Sequence, residues 1–434
     1  MFNIFISILF LFISLYKCID IKLSLLKKGI DPNKNSYPVI ITIEEPLYTK
    51  SPIDLFILYD SCENMENNKD NLVKALSKVV EALNENDKLC LISFCSKPKK
   101  RFGLSYMNNN GKNSALNIIN NIEFKDNINY SSVIKKFIDN IIKSKAFNKE
   151  RVQSIIFMIN KEGYITDLEN NVNKLIKSLE NNEYNFNLNV FCLSSDFENP
   201  SILLKLSEVR DGTFYTVNNN LNNLTDYILN VIGSMKSTKY KYVNISINSR
   251  YNITNFYGSE HMLQYSKSDI NYNISILQFI TGKEYNYVFE VDLNDIKIND
   301  RILYVDINYE DFNGNFDQKT YYLKYYNSVN YFYFKKDEYC RILSMEILSD
   351  FLGDNKTYTE FKTFFKMIAE YCNNDLDINI IKQLNTIKED NKNNEIYPLY
   401  GLLSEVFFKK GGVNLWYSNQ YQKELIYNYT KTEI

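Results

Sequence analysis

Residues 55–65 read LFILYDSCENM: an apolar run closes on one carboxylate, Asp60, followed by Ser61, Cys62, Glu63 and Asn64 in a polar turn. A buried strand that delivers a carboxylate to the end of a parallel sheet places it where ligands collect, and a hard cation would accept it as an oxygen ligand. The same carboxylate can instead cap the following helix or accept hydrogen bonds within its own loop. Ser61 is no nucleophile elbow, because YDSCE lacks the Gly-x-Ser-x-Gly pattern. The chain has one histidine, His261, which lies far from this stretch and excludes multi-histidine metal sites and histidine relays. Cys62, with no histidine nearby in sequence, reads as an unreactive or disulfide-bonded cysteine. KKGGVN at 409–414 does not precede a helix with the Lys and Ser/Thr of a phosphate loop.

The other cysteines, at positions 18, 90, 95, 192, 340 and 372, form no C-x-x-C pair, which argues against structural zinc. Cys90 and Cys192 fall in strand-like runs and read as small buried apolar residues. Cys340 and Cys372 fall in two predicted helices, and a disulfide between them is one open pairing. A net charge of −2 gives no strong attraction to nucleic acid or anionic membranes. Basic residues are mostly lysine, so bidentate arginine clamps for phosphate or carboxylate are not a theme. The chain is rich in Asn, Ile, Lys and Tyr, a compositional bias rather than a local signal.

Residues 1–20 carry an apolar run from Ile4 to Tyr16, the length of a secretory signal core and short for a membrane span. Export to the exterior or cell surface is the expectation, with a retained N-terminal anchor as the alternative. No later segment reaches the length of an apolar span. Glycosylation triplets begin at Asn129, Asn223, Asn244, Asn252, Asn273, Asn355 and Asn428, and matter only if the chain is exported.

The elements that must position Asp60 follow from periodicity. IDIKLSLLKK and YPVIITIEEP alternate as half-buried antiparallel strands within residues 21–50. Over 51–237, strand-like runs (IDLFILYD, DKLCLISFCS, VQSIIFMIN, FNLNVFCLSS, GTFYTV) alternate with helical stripes. One stripe joins Leu72, Val73, Leu76, Val79, Val80 and Leu83. This pattern predicts a doubly wound, mostly parallel α/β sheet with helices on both faces. Alternating runs over 238–334 predict an antiparallel β-sandwich that pairs with residues 21–50, so the α/β unit is inserted in it. Residues 335–434 read as a helical tail, except that the final NLWYSNQYQKELIYNYTKTEI has no assignable pattern. Tyrosines in YYLKYYNSVNYFYF (321–334) serve either a recognition surface or a sandwich face.

SPIDLFILYDSCENM, LVKALSKVVEALNENDKLCLISF, NINYSSVIKKFIDNII, SIIFMINKEG and LSEVRDGTFYTV, in that order, resemble a von Willebrand factor type A domain. The resemblance implies protein binding through a metal at the top of the sheet, held by Asp-x-Ser-x-Ser, a Thr and a second Asp. Mapped here, the first Asp is Asp60, the serines fall at Cys62 and Asn64, the Thr at Ile128 beside Asn129, and the second Asp at Asn160. A thiol is too soft for magnesium and isoleucine offers no oxygen. Glu63, Glu162, Ser131 and Ser132 are the residues near enough in sequence to substitute. The expectation is a degenerate site with no cofactor, magnesium or manganese being the alternative. The resemblance therefore implies a non-enzymatic, adhesion-type protein that binds a protein partner at this crest. The alternatives are an intracellular scaffold and a metal-dependent adhesion protein with a non-standard ligand set.

Overall fold

The computed structural model describes residues 19–26, 36–45, 50–95, 98–124, 150–160, 185–194, 200–217, 223–257, 270–325, 336–353, 357–372 and 418–431, with isolated positions between them. Two antiparallel strands, β1 (Asp20–Leu25) and β2 (Ser36–Glu44), open the described chain. The α/β unit follows with β3 (Ile53–Asp60), a 3-10 turn (Glu63–Asn68), α1 (Lys69–Ala82), β4 (Lys88–Phe94), β5 (Lys99–Tyr106), α2 (Asn109–Asn120) and β6 (Val152–Ile159). It closes with β7 (Asn187–Cys192), α3 (Pro200–Glu208), β8 (Phe214–Thr216) and α4 (Leu224–Lys236). Antiparallel strands resume as β9 (Thr238–Ser249), β10 (Ile253–Tyr257), β11 (Lys267–Ser268), β12 (Asn271–Ile280), β13 (Glu284–Asp292), β14 (Arg301–Asp311) and β15 (Phe316–Lys324). Helices α5 (Lys336–Leu352), α6 (Tyr358–Cys372) and α7 (Gln420–Thr430) complete the described chain.

The α/β unit is built on a six-stranded sheet of order β5-β4-β3-β6-β7-β8, parallel except for edge strand β5. Every residue of β3 and β6 is buried, as continuous apolar runs require when helices cover both faces. Ile53, Leu55, Ile57 and Tyr59 of β3 pack with Leu72 and Leu76 of α1 and Ile228 and Ile232 of α4. Phe56 and Leu58 face the opposite layer, where Leu203 and Leu206 of α3 lie. The predicted stripe on α1 is buried at Leu72, Leu76, Val79, Val80 and Leu83, with Val73 only partly covered.

The antiparallel strands form a four-stranded sheet, β1-β2-β13-β10, and a five-stranded sheet, β11-β12-β9-β14-β15. β2 pairs with β13 from Ser36↔Asp292 to Glu44↔Glu284, which joins the strands before the α/β unit to those after it. The two sheets share one core, with Val39, Ile41 and Ile43 of β2 against Val243, Ile245 and Ile247 of β9.

One expectation is corrected, and the stretch without an assignable pattern gains a helix. β2 is buried on both faces rather than one, because Ile40 and Val288 on the far side of its sheet join the core that α5 and α6 complete. There Glu290 accepts hydrogen bonds from Tyr257 Oη (2.8 Å), Tyr339 Oη (2.7 Å) and Asn255 Nδ2 (3.0 Å). The unassigned C-terminal stretch contains α7, started by a capping box in which Asn419 and Gln422 each accept the other's backbone N–H. α7 packs on the α/β unit. Gln422 Nε2 donates to Asn230 O (2.9 Å), Asn230 Oδ1 (2.6 Å) and Ser234 Oγ (2.6 Å) of α4. Of the tyrosine-rich run, Tyr321 packs on the sandwich core and Tyr322 is exposed, while 326–334 lie outside the described residues.

Candidate functional site: the crest of the parallel sheet

Parallel register brings the carboxyl ends of β3, β4 and β6 to one edge, with Asp60 beside Phe94 and Tyr59 beside Met158. Asp60 ends β3 at 0% exposure, and its Oδ1 accepts the Cys62 N–H at 2.8 Å. The bond closes the loop onto its own carboxylate. The 3-10 turn begins at Cys62, whose own side chain makes no cap bond, and Asp60 holds the loop that leads into it. Ser61 N donates to Phe94 O (2.9 Å), and Ser61 Oγ donates to the same carbonyl (3.2 Å). The β3 exit is thereby laid against the β4 exit.

A disulfide joins Cys62 to Cys95, with Cα atoms 5.1 Å apart, and both residues are buried. Glu63 and Asn64 stand exposed on the first turn, anchored by buried Met65. Asn160, one residue past β6, is 7% exposed. Burial pushes the Tyr59 phenol up to about 12, against the pull of Arg101 and a Ser93 hydrogen bond. Phe94 and Phe157 stack beneath the crest at 5.3 Å.

Among the described residues, the mapped donors are a poor match for a hard dication. Cys62 spends its sulfur in the disulfide, and one Asp60 oxygen accepts a backbone N–H. Asn64, which stands where the resemblance puts the second serine, is exposed rather than buried beside Asp60. Among the described residues, no group of three or more His, Cys, Asp and Glu is placed to hold a metal. Ile128, Asn129, Ser131, Ser132 and Glu162 lie outside the described residues.

Among the described residues, Ser61 and Cys62 are not set up as activated nucleophiles. The Ser61 hydroxyl donates to a carbonyl and Cys62 is oxidised. Of the free thiols, Cys90 is buried and pushed up to about 11 by desolvation, and buried Cys192 donates to Ser194 O at 3.5 Å. Both match the reading of buried apolar cysteines. Cys340 is disulfide-bonded, while the side chain of Cys372 lies outside the described residues, as does His261.

Cys95 is the crest residue that sequence reasoning missed. The available signal was positional: Cys62 stands two residues past the predicted strand IDLFILYD, Cys95 lies at the end of the predicted strand DKLCLISFCS, and those strands are neighbours. Of the glycosylation candidates, Asn244, Asn252, Asn273 and Asn428 are exposed. Asn223 is half-buried at the start of α4, with its Nδ2 3.4 Å from Tyr227 Oη, and Asn355 lies outside the described residues.

The family model of the von Willebrand factor type A domain matches residues 54–230. No curated protein matches the chain in sequence. Among solved structures, a von Willebrand factor type A protein from Catenulispora acidiphila is similar with a TM-score of 0.56 and 10% identity, over 77% of this chain and 82% of that one. The ArnB paralog VWA2 from Sulfolobus acidocaldarius is similar with a TM-score of 0.57 and 13% identity, over 90% of this chain and 99% of that one. The human COPII-coat protein Sec24c gives a TM-score of 0.52 at 10% identity, over 82% of this chain and 58% of that one. At such identities the likeness is one of fold. Residues 54–230 are a von Willebrand factor type A domain, accompanied by antiparallel sheets and C-terminal helices.

Proposed function

We propose that this chain is an exported, non-enzymatic, adhesion-type protein. It binds a protein partner at the crest of its type A domain without a bridging metal. The observation that carries this reading is the Cys62–Cys95 disulfide. A disulfide persists in oxidising compartments, which favours the exterior or cell surface over an intracellular scaffold. The bonded state of Cys340 points the same way. The bridge also stands at a position where the family places a metal-binding serine, so it ties the β3 exit to the β4 exit covalently. Asp60 then serves the loop, and exposed Glu63 and Asn64 present the surface. The net charge of −2 gives no reason to invoke nucleic acid. No helix among the described residues is long and apolar enough to cross a membrane.

Thermal unfolding of the full chain with magnesium, with manganese and in chelator tests the metal-free crest. An ion bound only to the folded state at ten times its Kd adds about 1.4 kcal/mol. The curves should overlay. A midpoint that rises with metal, and no longer does so in Asp60→Ala, would install the metal-dependent reading instead.

A further inference from the structure

The five-stranded sheet has one face in the sandwich core and one in solvent. Along β9 and β12 the alternation sends Ile245 and Ile274 inward at 0% exposure, and Asn244 and Asn273 outward. Register sets two Asn-x-Ser triplets against each other. Asn273 lies opposite Ser246, and Ser275 lies opposite Asn244. The two asparagines are diagonal neighbours on adjacent strands, a relation that places residues about 7–8 Å apart. Nearby on the same face, Tyr304 and Tyr322 are 42% and 52% exposed with their rings 6.4 Å apart. Asn-rich composition scatters triplets along a chain, but composition does not put two of them in register on one exposed face.

The geometry points to Asn244 and Asn273 as carriers of N-linked glycans that cover the outer face of the five-stranded sheet, an inference that rests on the export reading above. An oligosaccharyltransferase supplies the chemistry, with a lipid-pyrophosphate-linked oligosaccharide as co-substrate. The asparagine Nδ2 attacks the anomeric carbon and a C–N bond forms. The C–O bond to pyrophosphate breaks, the lipid pyrophosphate leaves, and the amide gives up one proton. Each triplet supplies its own hydroxyl two residues on, Ser246 or Ser275. In the folded chain both asparagines are exposed, Asn244 with its Nδ2 donating to Tyr242 O (3.2 Å) and its Oδ1 accepting from Ser275 Oγ (2.7 Å), whereas Asn223 is half-buried at the start of α4. Glycans here would shield the tyrosines.

The full chain, expressed in a eukaryotic secretory host, tests this by mass spectrometry after enzymatic deglycosylation in heavy-oxygen water. The expected result is heavy-oxygen aspartate at positions 244 and 273 and an unmodified Asn223. Two steps of gel mobility should be lost in Asn244→Gln/Asn273→Gln. Ser246→Ala/Ser275→Ala removes the same glycans should the first variant misfold. Secreted, disulfide-bonded protein with both asparagines unmodified overturns the inference and leaves the export reading standing. Protein retained in the cytosol, with Cys62 open to alkylation and no triplet modified, overturns both.

Discussion

Asp54 and Asp60 sit near the two ends of β3, both at 0% exposure, and are held by different chemistry. At the floor, Asp54 meets the Arg151 guanidinium at 2.6 Å. Beside it Asp87 pairs with Lys236 at 2.6 Å and accepts the N–H groups of Ile53 and Asn84. At the crest, Asp60 accepts the N–H of Cys62, whose sulfur is bonded to Cys95. The floor is therefore locked by buried ion pairs and the crest by a covalent bridge with a hydrogen-bonded loop. Buried charges tolerate removal of a partner poorly, because the remaining ion cannot recover its hydration. A carboxylate held by a backbone N–H tolerates an amide in its place.

Lys236→Met should be the most damaging change, since it strands the Asp87 carboxylate in the core. A loss of about 3–5 kcal/mol is expected in urea titration. A cost below about 1 kcal/mol would mean that the floor is not locked by charge. Cys62→Ser/Cys95→Ser opens a bridge of sequence separation 33. Chain entropy assigns such a loop about 3–4 kcal/mol, and reducing the wild-type chain, which also opens the bond at Cys340, should cost at least as much. Equal midpoints for oxidised and reduced protein would deny the bridge its role at the crest.

Alkaline pH probes the packing between the two ends. Tyr59 is pushed from 10 to about 12, so between these values the folded chain holds a proton that the unfolded chain has released. Stability present below pH 10 is thus lost as pH rises toward 12. Burial also raises Tyr257, Tyr285 and Tyr287, while Arg210, lowered to about 10, opposes them. Unfolding midpoints should fall above pH 10, and Tyr59→Phe should flatten the decline. Gly233→Ala should cost about 1–3 kcal/mol by overpacking. A Cβ there would meet Gln422 Cγ at 2.7 Å and Gln422 Cα at 3.0 Å, and limited proteolysis should then reach α7 sooner. The smallest effect is expected for Asp60→Asn, within about 1 kcal/mol, because the amide oxygen still accepts the Cys62 N–H. Asp54→Asn should cost clearly more by leaving Arg151 without its carboxylate. Equal costs would erase the distinction between floor and crest.

Much of the sheet was legible because burial on both faces writes itself as continuous apolar runs, as in IDLFILYD and VQSIIFMIN. The helical stripe of α1 was legible for the corresponding reason, one apolar side repeating every turn. α7 escaped notice because its buried face is partly polar. Gln422 is 0% exposed yet reads as a surface residue, since its partners Asn230 and Ser234 belong to a distant helix. The two-sided burial of β2 was equally invisible, because the helices that cover it come from the far end of the chain.

By itself the sequence determined the strand–helix alternation and the carboxylate at the end of β3, since these follow from local periodicity and residue type. Only the tertiary structure decided that Cys62 bonds to Cys95, that Asp60 serves its own loop, and that Asn244 and Asn273 share one exposed face. Each of these depends on the register of neighbouring strands or the path of a single loop, and pairing across a sheet is a long-range choice that no local pattern encodes.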